Sequence, residues 1–346
     1  SNPDVAPFAG PAGRLLLTGN TISLSESRLA TTTAGGEKAT PAEIRVSALE
    51  ALTLAQTEVE SSTEAAAEAG ALTLEAAELT LDGVSLVAES RQGATGAGGA
   101  ITLRAGGEVS LSGALAGEGS RLSTSSQGAG AAGDIQLEAS RLTLGEDAAI
   151  ASESFGKGAS GSIRLVLGQR LDMAAGSRLS TDARLAQGGD IFVQTLGSEI
   201  FLDGAAIQAS AGALGNGGDL RLETTFFVLE NASILAEADA GNGGKIDIFA
   251  DAVVPDLFSR ISADSNTGNA GTVNIEAPDI DLNAVISGQS TTPLTVPALN
   301  LSLCAPGGEG SLRLQRAPQR PLEPLPGAPL GRVSASEWTV NCGGKR

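Results

Sequence analysis

The chain has 346 residues and a net charge of −18, and it contains 46 glycines, a single tryptophan and no histidine or tyrosine. This charge leaves no apparent basic face to neutralise phosphates, which argues against nucleic-acid binding. The lack of histidine excludes Ser-His-Asp triads and histidine-containing zinc sites. No apolar run reaches the roughly 18 residues of a membrane-spanning helix, and no motif predicts a cofactor.

A short motif recurs along most of the chain: glycine or another small residue, a polar residue, then an apolar–polar–apolar run. It is clearest at Gly188–Val193, Gly217–Leu222 and Gly243–Ile248. The first apolar residues of successive copies lie 26 to 34 residues apart, most of them 28 or 29. Such spacing is typical of a solenoid, in which repeats stack on one another. These anchor residues are Leu15, Ile44, Leu72, Ile101, Ile135, Ile163, Ile191, Leu220, Ile246 and Val273.

Each repeat contains three short stretches of alternating apolar and polar residues. In the sixth copy they are Ile163–Leu167, Leu171–Met173 and Arg178–Thr181. Alternation predicts strands with one buried face, and strands this short need a counterpart in the next repeat to pair with. The sequence therefore predicts an all-β fold, a right-handed parallel β-helix (β-solenoid) of about ten coils of about 28 residues.

Two stretches depart from the simple repeat. An insertion around residues 113–119 explains the longest spacing between anchors. Ser61–Glu68 contains helix formers and resembles a capping box, but its position in the repeat predicts a loop, with at most one helical turn. Turns of small residues are predicted between the strands, for example at 145–147 and 202–204.

The repeat ends after Ile286. The chain then divides into a β-helix repeat domain, residues 1–289, and a proline-rich, cysteine-containing cap or tail, residues 290–346. A cap is expected because an open solenoid end exposes a sheet edge. In an oxidising compartment, a disulfide between Cys304 and Cys342 would stabilise the tail by roughly 3.5–4 kcal/mol; two free thiols are the alternative.

The repeated glycines resemble phosphate loops only superficially, because no helix follows them to supply an anion-binding N-terminus. We expect these glycines to turn the chain at positive φ, and the apolar residues that follow them to face the core. The positions that represent these turn and core roles are Gly189, Ile191, Gly218, Leu220, Gly244 and Ile246.

Asparagine recurs just before the glycines, at Asn216, Asn242 and Asn269. These residues either stack as an amide ladder or occupy left-handed positions in tight turns. Both interpretations are structural, so neither assigns a ligand to the asparagines.

Aspartate recurs just after the glycine, at Asp134, Asp190 and Asp219. Paired carboxylates in adjacent coils would suit a glycosidase or a lyase. A solvated turn edge is the plainer interpretation, because serine, lysine and threonine fill the same position in other repeats.

The repeats resemble those of the large exoproteins of the filamentous haemagglutinin type, the secreted partners of bacterial two-partner secretion systems. The stretches that carry the resemblance are GNGGDL-x-L and LENASILAEADAGNGGKIDIFA, and the similarity covers about residues 13–286 and a tail with Cys and Pro. The N-terminal secretion domain of that family is not evident, so we expect this chain to correspond to the carboxy-terminal part.

The resemblance implies a right-handed β-helix that an outer-membrane transporter exports, leaving the protein secreted or on the bacterial outer surface. It also implies adhesion or aggregation through host or neighbour-cell glycans or proteins. In some adhesins of the family a terminal cysteine pair holds the protein at its transporter, a role that Cys304 and Cys342 would take by analogy.

The function that we expect first is therefore a non-enzymatic adhesin or aggregation stalk. One alternative is a β-helix polysaccharide lyase or hydrolase, and another is a passive spacer of a larger effector. An enzyme needs a cleft with converging acid groups, whereas the polar residues of these repeats interchange at every position.

Overall fold

The computed structural model describes residues 13–37, 39–212 and 215–277. Within them the chain is all β without a helix, and 20 strands form one sheet of stacked, parallel coils. The predicted β-solenoid is confirmed, with about nine turns; the handedness of its coil stays a prediction. The strands are β1 (Arg14–Ser25), β2 (Arg28–Thr33), β3 (Glu43–Thr63), β4 (Leu72–Ala76), β5 (Glu78–Ser90), β6 (Ile101–Ala105), β7 (Glu108–Ser112), β8 (Ala114–Leu115), β9 (Glu118–Gly119), β10 (Arg121–Ser126), β11 (Ile135–Leu144), β12 (Ala149–Ser154), β13 (Ile163–Met173), β14 (Arg178–Ala183), β15 (Ile191–Thr195), β16 (Glu199–Asp203), β17 (Ala206–Gln208), β18 (Leu220–Glu230), β19 (Ser233–Leu235), β20 (Lys245–Pro255), β21 (Arg260–Ser262) and β22 (Thr272–Glu276).

The parallel pairing has the register that the repeat spacing predicted. Each anchor residue lies beside the anchor of the next coil at every step of the stack. The insertion does not disturb this register, since Ile101 pairs directly with Ile135. The pairs are Leu15–Ile44, Ile44–Leu72, Leu72–Ile101, Ile101–Ile135, Ile135–Ile163, Ile163–Ile191, Ile191–Leu220, Leu220–Ile246 and Ile246–Val273.

The first two strands predicted for a coil are joined in the fifth and sixth coils. β11 and β13 each run through both stretches, and their pairing shifts by one residue between Ala139 and Arg141. A bulge of this kind bends a strand while its neighbours stay paired. The prediction of three separate strands is therefore wrong for these two coils, because the intervening polar residues form a bulge. It is correct for the fourth and seventh coils and wrong for the first three, the eighth and the ninth, where β1, β3, β5, β18 and β20 also run through two or more of the predicted stretches.

Small residues do turn the chain between the second and third strands. The carbonyl of Gly145 accepts a hydrogen bond from the N–H of Ala148 at 3.1 Å, and Asp147 has a φ of 56°. At the other predicted turn, β16 continues through Asp203, and Gly204 turns the chain with a φ of 61°. That turn therefore begins later than the sequence predicted.

The insertion is a short antiparallel hairpin of β8 and β9. Its two loop residues, Ala116 and Gly117, have φ values of 53° and 88°, as a two-residue type I′ turn requires. The amide of Gln56 donates to the carbonyl of Ala114 at 3.0 Å and ties the hairpin to the stack. The extra residues are thus accommodated outside the parallel ladder.

The stretch Ser61–Glu68 is not helical. Its first three residues end β3 and are fully buried, whereas the next four form bends. The hydroxyl of Thr63 donates to the carbonyl of Ala67 at 2.7 Å. The loop prediction is therefore correct for the second part of the stretch and wrong for Ser61–Thr63, because pairing with β5 extends the strand.

The core is a stack of Leu, Ile and Val side chains that is continuous along the coils. Phe227 is its largest fully buried side chain. One internal column is polar instead. Its hydroxyls donate to backbone carbonyls, as Ser90 does to Gly96 at 2.6 Å, except that of Thr33, which accepts the N–H of Ala42 at 3.1 Å. That column comprises Thr33, Thr63, Ser90, Ser126 and Ser154.

The predicted tail falls outside the described residues. The boundary between residues 289 and 290 lies there, as do Cys304 and Cys342. The domain division and the cysteine pairing therefore stay predictions.

Phe227→Ala should destabilise the fold by about 3–5 kcal/mol, since it removes a fully buried ring and leaves a cavity. Phe226→Ala is the matched control: it is the same change one residue earlier, on a side chain that is 49% exposed, and should cost less than about 0.5 kcal/mol. Urea denaturation followed by circular dichroism measures both. Equal losses for the two variants would contradict the assignment of inner and outer faces.

Candidate interaction surface

The repeat glycines are required by close packing between coils. A Cβ on Gly189 would lie 2.0 Å from the carbonyl oxygen of Gly161, and one on Gly218 would lie 2.0 Å from that of Gly189. A Cβ on Gly244 would lie 2.1 Å from the carbonyl oxygen of Gly218. Since none of these three has a φ in the left-handed region, the expectation of positive φ is wrong for them.

The backbone N–H of each repeat glycine is also engaged. Gly189 donates to the hydroxyl of Ser160 at 2.6 Å, whereas Gly218 donates to the carbonyl of Ala209 at 3.0 Å. Gly244 donates to the carbonyl of Ala236 at 2.8 Å. The residues that follow at the anchor position, Ile191, Leu220 and Ile246, are buried at 1%, 1% and 0% exposure.

The asparagines form a ladder along the stack. The side-chain oxygen of Asn216 accepts the backbone N–H of Asn242 at 2.8 Å, and that of Asn242 accepts the N–H of Asn269 at 3.1 Å. None of the three has positive φ. The ladder interpretation is therefore correct, and the left-handed alternative is wrong.

The aspartates have a similar structural task. The carboxylate of Asp190 accepts the backbone N–H of Asp219 at 2.9 Å, and that of Asp219 accepts the N–H of Lys245 at 2.9 Å. Asp134 accepts the N–H of Ser162 at 2.8 Å. Each carboxylate thus accepts a backbone N–H of the next coil, and the three carboxylates are spread along the stack and do not converge on one point.

Charged side chains on the outer face of the first strand also pair along the stack. Arg45 contacts Glu75 at 2.8 Å, and Arg104 lies 3.5 Å from Glu75. Further along, arginines cover aromatic rings: Arg164 lies 4.3 Å from the centroid of Phe192, and Arg221 lies 4.8 Å from that of Phe249. The charged side chains of this face therefore mostly contact other side chains of the same face.

One carboxyl on the third strand has a perturbed proton affinity. Asp182 pairs in register with Glu153. Burial, together with repulsion from Glu153, raises the pKa of Asp182 to about 6, although Arg178 partly opposes this. Perturbed carboxyls occur in functional sites and in structural clusters alike. Among the described residues, no group of three or more acidic, His or Cys side chains could hold a metal ion.

The outer face of the second strand changes its chemistry along the stack. One column of outward-facing side chains is polar in the first six coils and apolar in the next three. Beside this column, Phe226 is 49% exposed, and Val254 at its end is 54% exposed. In stacking order the column is Ser23, Thr53, Thr80, Ser110, Thr143, Asp172, Phe201, Val228 and Val254.

The turn that follows β20 displays two more apolar side chains. Leu257 is 97% exposed and Phe258 is 79% exposed. The carboxylate of Asp256 accepts the N–H groups of Phe258, Ser259 and Asn231 at 3.1, 2.8 and 2.9 Å. The Ser259 hydroxyl and these N–H groups lower the pKa of Asp256. We define the apolar patch as Phe201, Phe226, Val228, Val254, Leu257 and Phe258.

Acidic residues border the apolar patch. Asp203 and Glu230 pair with each other two residues beyond the column, and both are exposed. Two cations lie near the patch, and both are paired: Arg170 with Asp172 and Glu199, and Arg260 with Glu237. The border therefore carries negative charge around an apolar centre.

The apolar patch was not predicted from the sequence, although a signal for it was present. In the sixth coil the second stretch alternates, as Leu171–Met173. The seventh and eighth coils have three consecutive apolar residues instead, Ile200–Leu202 and Phe227–Leu229. An apolar residue at the outward position of an alternating strand predicts an exposed hydrophobic side chain.

Comparisons with known proteins do not place the chain in a family: no family model, curated protein or solved structure matches it. In the part of the chain that the structure describes, no helix is long and apolar enough to cross a membrane. The fold defines the class of protein as a β-solenoid, and a solenoid scaffold is compatible with several functions.

Gly189→Ala should destabilise the stack by about 1–3 kcal/mol, because its methyl group would overlap the Gly161 carbonyl and force the coils apart. Gly36→Ala is the control, since no atom lies within 4 Å of its Cβ position and its φ is not left-handed. Thermal denaturation of both variants checks this. A Gly189→Ala protein with the same melting temperature as the wild type would contradict the close packing.

Asp182→Asn should stabilise the protein at pH 7.5 by about 2–3 kcal/mol, since the raised pKa makes the ionised carboxyl costly in the folded state. The folded state holds its proton up to about pH 6 and the unfolded state releases it near 3.8, so wild-type stability falls as pH rises between them.

At pH 5 the gain from Asp182→Asn should therefore shrink to roughly half. Urea denaturation of both proteins at pH 5 and 7.5 gives the difference. Asp203→Asn, at an exposed carboxyl, serves as the control. A gain that is the same at both pH values would refute the assigned pKa.

Proposed function

We propose that this chain is part of a non-enzymatic exoprotein that is secreted or displayed on the bacterial outer surface. It acts there as an adhesin or aggregation stalk of a two-partner secretion system, and an outer-membrane transporter exports it. Its ligands are glycans or proteins of host or neighbouring cells. The resemblance of the repeats to filamentous haemagglutinin-type exoproteins supports the export route and the location.

One structural observation carries the adhesive part of the proposal. The second-strand face is polar over six coils and then presents the apolar patch over the next three. Large exposed apolar patches on soluble proteins mark interaction sites. About nine turns at about 4.8 Å each give the described solenoid a length of roughly 43 Å, which suits a stalk that holds a contact surface away from a cell.

The recurring polar residues support a structural scaffold and not catalysis. Asp190 and Asp219 are hydrogen bonded to backbone N–H groups, and Glu75 is held between Arg45 and Arg104. A glycoside-cleaving site requires two carboxyl groups facing a common substrate bond. The carboxylates of Asp134, Asp190 and Asp219 are instead spread along the stack, and each accepts a backbone N–H of the next coil.

Bacteria that display the chain should sediment from suspension faster than cells that display the Phe226→Thr, Val254→Thr double variant. The reason is that the apolar patch binds a ligand on the neighbouring cell. Optical density of standing cultures measures sedimentation, and surface labelling confirms equal display. The adhesive function would be wrong if wild-type cells stayed dispersed and the purified protein depolymerised an acidic polysaccharide. An enzymatic function would then take its place.

A further inference from the structure

We infer that the apolar patch docks a polypeptide segment of a partner protein, one whose apolar side chains are flanked by lysine or arginine. This inference rests on the proposed function, since it names the surface and the partner class of the adhesive contact. It draws on three observations: the side chains that make up the patch, the charges at its border and the ordered turn beside it.

The chemistry of the patch favours a protein partner over a glycan. The patch combines three aliphatic side chains, Val228, Val254 and Leu257, with three phenyl rings, and none of its six side chains carries a hydrogen-bonding group for a sugar hydroxyl. Apolar side chains are the natural complement of such a centre, and protein interfaces combine an apolar core with a polar rim. Outside the patch, the rings of Phe192 and Phe249 are covered by arginines.

The negative charge of the border favours a positively charged partner. Asp203, Glu230 and Asp251 are exposed beside the patch, and the nearby Arg170 is paired with Asp172. A cationic rim on the partner complements this border and accelerates association. A second copy of this chain would bring the same acidic border and a net charge of −18, which opposes self-association.

The turn that carries Leu257 and Phe258, two residues of the patch, is ordered before any partner arrives. Asp256 binds three backbone N–H groups and the Ser259 hydroxyl, while Leu257 and Phe258 point outward with most of their surface exposed. A preordered anchor loses less conformational entropy on binding than a mobile one. Large apolar anchors surrounded by polar residues are typical of binding hot spots.

The test uses the purified full chain and three short fluorescein-labelled peptides. The first alternates Leu and Phe with serine and has two lysines at each end. The second has glutamates in place of the lysines, and the third has serines in place of Leu and Phe. Fluorescence anisotropy should show binding of the first peptide, at least about tenfold weaker binding of the other two, and weakening by salt.

Phe226→Thr, Val254→Thr should weaken binding of the first peptide at least about tenfold without changing any charge. Threonine occupies the equivalent positions at Thr21 and Thr53, so the fold accommodates the double variant, and circular dichroism verifies it. Leu49→Thr is the control, because Leu49 is 76% exposed outside the patch; it should bind like the wild type.

Four results would overturn the inference. The first is equal binding by the wild type and the double variant, and the second is equal binding of the lysine and glutamate peptides. The third is a wild-type dimer in light scattering that the double variant abolishes, which would assign the patch to a second copy. The fourth is glycan-array binding that the double variant loses. Peptide binding without cell aggregation would instead refute the adhesive function and leave the docking surface standing.

Discussion

The structure depends on how closely one coil approaches the next at the repeat glycines. From the third coil onward, the carbonyl oxygen of one coil occupies the place where the next coil would carry a Cβ, as at Gly161 and Gly189. This contact constrains the register, because a shift of one residue that placed Asp190 at this position would bring a side chain against that oxygen. The same register aligns the other rows of side chains along the stack, namely the apolar core, the hydroxyls, the asparagines and the aspartates.

The sequence predicted the register and the core because both follow from one number, the spacing of the anchors. It misassigned the glycines because a close approach and a positive φ leave the same mark on a sequence. Gly189 and Gly204 look alike in the sequence, yet one packs against a carbonyl and the other turns the chain. The bulge in β11 was missed for a similar reason, since a break in alternation does not distinguish a bulge from a turn.

The apolar patch could be found from sequence only by reading across coils. Phe201, Val228 and Val254 are far apart along the chain and become neighbours once the register is imposed. Within any one coil, an outward apolar residue is unremarkable, because single exposed hydrophobic residues are common. Their meaning comes from the column, in which six polar residues precede them.

Stability does not explain why this column becomes apolar. Thr53, Thr80 and Thr143 occupy the same position in coils that pair equally well, so the fold accepts a polar side chain there. Phe226 and Phe227 make the contrast within a single strand: the inner ring fills the core, and the outer ring leaves half of its surface in water. Because the hydrophobic effect opposes such exposure, a contact that covers the outer ring accounts for it better than the architecture of the solenoid does.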